Sequence, residues 1–215
     1  MKSLFYSLLF ICCVTACSSS DDGGGPAGPP ITNSKPGAGR IYVMGDSLAY
    51  GTGSVDMVFT PSACLENEFV GATVSNYAIP GFKTDELVDN VPYYLGQSPK
   101  LAFISTGGND ALSEYYQPGS YPGDKSVREL KRIILQFQNA GAVVVYLAIN
   151  PPFDPAAAKR LQDMAKVARE NGAVVVDGMA GLWNSSKMYD QFHPNDEGYE
   201  VMCDRIIQAV SAHYP

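Results

Sequence analysis

Positive charge is scarce in this chain of 215 residues: 15 Lys and Arg stand against 22 Asp and Glu, for a net charge of −7. No basic cluster interrupts the acidic balance. Nucleic acid is therefore excluded as a partner, because its binding needs a concentrated cationic face. Histidine is scarcer still, with only His193 and His213. A metal-dependent phosphoesterase could draw on Asp46, Asn109, Asp110 and His193 as hard ligands. Such centres usually recruit several imidazoles, and only one is usefully placed here, so no metal or other cofactor is expected. No Gly-x-Ser-x-Gly pentapeptide occurs, which disfavours a serine hydrolase built on a nucleophile elbow. No internal repeat is present. The longest apolar run, Leu4 to Val14, has eleven residues, well short of the roughly 20 that cross a bilayer as a helix.

That run does suit a secretory signal. Met1-Lys2 supplies a short positive start, and Val14-Thr15-Ala16-Cys17 resembles the bacterial lipobox, in which the cysteine is lipidated and becomes the new N-terminus. Residues 1–16 are thus read as a lipoprotein signal peptide, and 17–39 as the lipidated Cys17 followed by a flexible linker. The Ser, Gly and Pro of Ser18–Gly39 carry no apolar periodicity. A coil of that length reaches on the order of 25 Å. A membrane anchor and a location in the bacterial cell envelope follow, periplasmic or on the cell surface, with the outer membrane as the expected site. Cys12 and Cys13 leave with the signal, so Cys64 and Cys203 are the only thiols left beyond Cys17. Residues 40–215 are enough for one well-cored domain and too few for two of ordinary size. A monomer is expected.

Within this domain five short apolar runs alternate with longer amphipathic stretches. The runs, Arg40–Met44, Thr73–Tyr77, Leu101–Ser105, Val143–Ile149 and Ala173–Asp177, are rich in Val and Ile and lack polar alternation, as strands covered on both faces do. Helical patterns fill Pro61–Val70, Thr84–Leu95, Ser126–Ala140, Pro155–Asn171 and about Asn195–Ala212. The alternation predicts an α/β fold, a three-layer α/β/α sandwich on a parallel sheet. Ser47, Gly81, Asn109 and His193 each fall after a predicted strand, at the sheet edge where ligands bind in such folds.

Taken singly, Gly45-Asp46-Ser47 and Gly107-Gly108-Asn109-Asp110 read as ordinary turns. Asp190-Gln191-Phe192-His193-Pro194 carries more, because proline confines His193 to an extended backbone and both functional groups share one short loop. Serine, imidazole and carboxylate are what an activated hydroxyl nucleophile needs: Ser47 to attack, His193 to take its proton, and Asp190 to orient the ring. Asp46 is read as a structural hydrogen-bonding residue.

In that order the blocks resemble those of the SGNH hydrolases, also called the GDSL esterase/lipase family. The first is Gly45-Asp46-Ser47-Leu48-Ala49-Tyr50-Gly51, the second Asn76-Tyr77-Ala78-Ile79-Pro80-Gly81, then Gly107-Gly108-Asn109-Asp110 and Asp190-Gln191-Phe192-His193-Pro194. The resemblance covers the chain from Arg40 onward, with Ala78 standing where many members carry glycine. It implies Ser47, Asp190 and His193 as the catalytic triad, and an oxyanion hole from the N–H groups of Ser47 and Gly81 and the Asn109 amide. It also implies a flavodoxin-like five-stranded sheet of order 2-1-3-4-5. In that order the helices bearing Cys64 and Cys203 lie side by side, so a Cys64–Cys203 disulfide is expected.

The activity expected is hydrolysis of carboxylic esters, thioesters or lysophospholipids through an acyl-enzyme on Ser47. The alternatives are a carbohydrate O-acetylesterase of the same family and a catalytically silent binding lipoprotein. Small-molecule, lipid or polysaccharide esters are the expected substrates. Ser113–Lys125, with Tyr115, Tyr116 and Tyr121, is read as a surface loop or an aromatic wall, and Asn150-Pro151-Pro152-Phe153 as a second rim of the same edge.

Overall fold

A computed structural model describes residues 37–120, 123–151 and 155–214. The signal, Cys17 and most of the linker lie outside these residues, as do Tyr121, Pro152 and Phe153. Strands β1 (Arg40–Gly45), β2 (Thr73–Asn76), β3 (Leu101–Ser105), β4 (Val143–Leu147) and β5 (Val174–Val176) form one parallel sheet of order β2-β1-β3-β4-β5. Ile41–Met44, β3 and β4 are buried residue after residue, which is why they lack alternation in the sequence.

The helices are α1 (Ser47–Tyr50), α2 (Pro61–Glu68), α3 (Thr84–Leu95), α4 (Gly108–Tyr116), α5 (Gly123–Asn139), α6 (Pro155–Glu170) and α7 (Asp196–His213). Helix α2 packs on α7, whereas α5 packs between α3 and α6. Helix α5 shows why such segments fold as they do: Leu130, Ile133, Ile134 and Phe137 recur at helical spacing and are fully buried. Each such side chain contributes about 1.5–3 kcal/mol when removed from water. Sheet, helices and core all fall within 40–214, so this segment carries its own complete core.

Two helices are absent from the sequence-based expectation. Helix α1 is a single turn capped by Asp46, whose side chain accepts from the Leu48 N–H. Helix α4 occupies 108–116, so Tyr115 and Tyr116 end a helix and are not part of an open loop. Its glycine-rich start reads as a turn because Gly107, at the N-cap, adopts a left-handed φ of 105°. The chain reverses direction across the sheet after β2, so β1 and β3 flank the switch point where open α/β sheets bind ligands.

Candidate active site

Ser47 is the first residue of α1, directly after β1. Its backbone N–H, in the first helical turn, has no intrahelical acceptor. The turn is held from beneath by Asp46, a buried carboxylate that accepts from the Leu48 N–H at 3.1 Å and the Ser105 hydroxyl at 2.7 Å. Burial raises the Asp46 pKa above the ordinary carboxylate value, and these two hydrogen bonds oppose the rise without cancelling it. The contacts match the structural part read for Asp46 in the sequence.

His193 comes from a tight loop pinned at its base. Met188 and Pro194 pair as an antiparallel bridge, and the Tyr189 N–H donates to the His193 carbonyl at 2.8 Å. Within this loop the Asp190 carboxylate accepts from the backbone N–H groups of Phe192 (2.7 Å) and His193 (2.8 Å) and lies 2.8 Å from His193 Nδ1. Partial desolvation would raise the Asp190 pKa, but the imidazole and the two backbone donors outweigh it and hold the group below its usual value. An ionised carboxylate only accepts, so Nδ1 carries the proton and Nε2 offers its lone pair. The Ser47 Oγ lies 2.9 Å from that Nε2, across 146 residues of chain.

Several ties hold the serine segment against the histidine segment. The Tyr199 hydroxyl, buried in α7, donates to the Thr52 carbonyl at 3.0 Å. The Asp196 carboxylate in the first turn of α7 accepts from the Ser54 hydroxyl and the Val55 and Asp56 N–H groups. Those bonds lower its pKa, the Ser54 hydroxyl being the largest cause. Gly53, with φ +97°, lies so close to the loop that a Cβ there would meet the Pro194 carbonyl oxygen at 2.4 Å and the His193 Cβ at 3.2 Å. Cys64 of α2 and Cys203 of α7 are joined by a disulfide, S–S 2.06 Å, that closes a span of 139 residues.

Gly81 and Asn109 line the same cleft as Ser47 and His193. Gly81 has φ +90° and open space where a Cβ would stand, so a ligand can approach its N–H without obstruction. One Asn109 amide hydrogen goes to the Phe82 carbonyl at 2.9 Å, fixing the side chain beside the Gly81 loop and leaving its second N–H for the cleft. Of the residues singled out in the sequence, Ser47, Asp190 and His193 form one hydrogen-bonded chain, with Gly81 and Asn109 across the cleft. Cys64 and Cys203 brace the scaffold and take no part in the cleft lining.

The cleft has a volume of about 300 Å³ and is walled chiefly by apolar side chains: Leu112 and Tyr115 of α4, Ile149 and Pro151 after β4, Ala157 and Leu161 of α6, and Trp183 and Phe192. Leu112, Ala157, Leu161 and Trp183 are missing from the sequence-based expectation. Trp183 carried one usable signal, being the only tryptophan of the chain. A second, shallower cavity of about 390 Å³ shares Gly81, Asn109 and Leu112 and is lined besides by Lys83, Ser113, Tyr116, Gln117 and Ser120. Tyr115 therefore faces an apolar space and Tyr116 a polar one. Chemically, the arrangement offers a hydroxyl whose proton has an acceptor, with hydrogen-bond donors facing it over an apolar trough.

A family model described as the GDSL-like lipase/acylhydrolase family matches residues 43–201. No curated protein sequence gives a significant match. Among solved structures, TesA superposes with a TM-score of 0.69 at 20% identity, over 81% of this chain and 99% of that one. The acetylxylan esterase Axe2 from Geobacillus stearothermophilus gives 0.66 at 19% identity, over 82% and 96%. The psychrotrophic esterase EstA from Pseudoalteromonas sp. gives 0.67 at 18%, over 81% and 97%. These likenesses concern the fold.

Proposed function

Since this chain belongs to the GDSL-like lipase/acylhydrolase family, we propose that it hydrolyses carboxylic esters through an acyl-enzyme on Ser47, with His193 as general base and Asp190 as its orienting partner. The observation that carries this reading is the pair of contacts made by one imidazole: Nε2 on the Ser47 hydroxyl at 2.9 Å and Nδ1 on Asp190 at 2.8 Å. As Oγ attacks the ester carbonyl carbon, its proton passes to Nε2. Negative charge then develops on the former carbonyl oxygen, facing the N–H groups of Ser47 and Gly81 and the Asn109 amide. Donors of this kind contribute about 3–4 kcal/mol each to the transition state. Collapse of the tetrahedral species breaks the bond to the alcohol oxygen, which leaves with the proton from Nε2. Water, deprotonated by the same imidazole, then attacks the acyl-enzyme and releases the acid. Asp190 stays ionised throughout and stabilises the imidazolium.

The apolar trough supports an acyl group longer than acetyl. A methyl group is about the size of a water molecule, whose share of liquid volume is ~30 Å³. At about 300 Å³ the cleft has room for far more than one. A second reading, esters of carbohydrate, is favoured by the polar cavity beside Gly81 and Asn109, where Lys83, Gln117 and Ser120 offer hydrogen bonds and Tyr116 a ring face. The Axe2 name points to the same class, for that protein. The silent-binding alternative is disfavoured by the complete hydrogen-bonded chain of Ser47, His193 and Asp190.

The test is a series of p-nitrophenyl esters from acetate to palmitate, with S47A in parallel and EDTA as a control. The expected result is turnover lost in S47A, retained in EDTA, and highest at intermediate chain length. Equal turnover in wild type and S47A overturns the nucleophile assignment. A rate that is highest for acetate and falls with every added carbon favours the carbohydrate acetylesterase instead.

A further inference from the structure

Beyond the ester chemistry, one surface of the domain is unlike the rest. Between α1 and α2 the chain runs Val55-Asp56-Met57-Val58-Phe59, four apolar residues out of five, and all four side chains are exposed. Val55 is 80% exposed and Val58 50%. Tyr50 and Tyr189 are exposed as well, and Gly53 brings the segment against the Tyr189 side chain, whose Cβ would stand 3.0 Å from a Cβ at position 53. A cluster of exposed apolar residues marks a contact surface more often than scattered ones do.

The patch is presented rigidly. Asp196 accepts from Ser54, Val55 and Asp56, the Met57 N–H donates to the Ser54 hydroxyl at 2.9 Å, and the Thr60 hydroxyl donates to the Met57 carbonyl at 3.0 Å. Met57 is held at φ 59°, a conformation that a non-glycine residue keeps only when its surroundings enforce it. These contacts fix the backbone of the segment, and Val55 and Val58 are its most exposed apolar side chains.

We propose that this face, Tyr50 with Val55–Phe59 and Tyr189, docks on a neutral, zwitterionic lipid surface. Three observations select that occupant. The segment adjoins Thr52, which lines the apolar cleft, so a molecule leaving the lipid at this rim enters the site directly. From Tyr50 to Thr60 the only charged residue is Asp56, with Asp190 and Asp196 nearby, and the neighbouring cation Lys187 is paired with Glu197 at 3.5 Å, so the charge of this face does not favour an anionic surface. Upstream of the domain the sequence carries an apolar run of eleven residues and the lipobox-like Cys17, the motif of a lipid anchor.

The experiment uses the chain from Ile31, which contains the complete core and neither the apolar run nor Cys17. Co-sedimentation with phosphatidylcholine vesicles is measured for wild type, for V55S/V58S, and for V70S, which alters a valine at least as exposed, in the turn after α2. Hydrolysis of a soluble p-nitrophenyl ester is followed in parallel as a check on folding. Wild type and V70S should sediment, and V55S/V58S should partition at least about tenfold less, with unchanged turnover of the soluble ester. Phosphatidylglycerol vesicles should bind wild type more weakly. Absence of wild-type binding, or equal binding by V55S/V58S, overturns the proposal. So does concentration-dependent dimerisation that V55S/V58S abolishes, which would assign the face to a second copy of the chain. Because sedimentation needs no catalysis, loss of docking is distinguishable from failure of the esterase reading.

Discussion

Replacing Gly53 with alanine should damage stability and catalysis together, and the structure sets the size of both effects. Gly53 has φ +97°, where an L-residue costs about 1–2 kcal/mol. The added methyl would stand 2.4 Å from the Pro194 carbonyl oxygen, 3.0 Å from the Tyr189 Cβ and 3.2 Å from the His193 Cβ. The first of these is backbone and cannot rotate away. Relieving such overpacking costs about 1–3 kcal/mol more. The expected loss is therefore about 2–5 kcal/mol, or about 4–20 °C in Tm for a domain of this size. Relief must also move the His193 loop away from the serine segment, and a displacement near 1 Å costs about a hundredfold in rate. The control is G81A, at φ +90° but with nothing within 4 Å of the new methyl. It should lose only the backbone cost of about 1–2 kcal/mol, and its kcat should fall because the methyl obstructs approach to the N–H. Thermal unfolding and kcat on a p-nitrophenyl ester are measured for both variants. Wild-type Tm and kcat in G53A would refute the idea that this contact sets the distance between Ser47 and His193.

Other consequences are equally direct. D190N should retain more turnover than H193A, because an amide oxygen can still accept from the Phe192 and His193 N–H groups and hold the loop, whereas H193A removes the imidazole that receives the Ser47 proton in the proposed mechanism; steady-state rates of the two variants decide this. The Asp46 pKa is raised by folding, so its contribution to stability is fully present below the unfolded value of about 3.9 and is lost as pH rises through the folded value. D46N, which keeps an acceptor oxygen for Leu48 and Ser105, should lose this dependence, so wild type should weaken relative to D46N in thermal melts as pH rises above about 4. Reduction of the Cys64–Cys203 bond should lower stability by about 2–5 kcal/mol in denaturant titrations, given the 139-residue span it closes. An unchanged midpoint after complete reduction would show that packing of α2 on α7 suffices.

Much of this architecture was legible before any tertiary structure. The β1, β3 and β4 runs announce themselves because a strand covered on both faces must be apolar throughout, and helix α5 because its buried face recurs at helical spacing. Strand ends were less legible: the run predicted to Ile149 is paired only to Leu147, and the one predicted over 173–177 only over Val174–Val176. Hydrophobicity continues past the last paired residue, since Ala148, whose N–H still donates to the Val176 carbonyl at 2.8 Å, and Ile149 are buried as the chain enters the site. Helix α4 escaped because its start, Gly107-Gly108-Asn109-Asp110, has turn composition, and its helical path rests on a left-handed cap that only the surrounding packing enforces.

The division at the site has the same origin. Residue identity and order established which groups could do chemistry: one serine in a turn after a strand, one usable histidine, and a carboxylate three residues before it. Those are local properties, written in covalent spacing and backbone restriction. Whether the Ser47 hydroxyl meets the His193 ring across 146 residues, which walls enclose the cleft, and which apolar side chains stay outside were decided only when the sheet, α6 and α7 came together. Contacts between distant segments depend on the whole packing, and no window of sequence contains it.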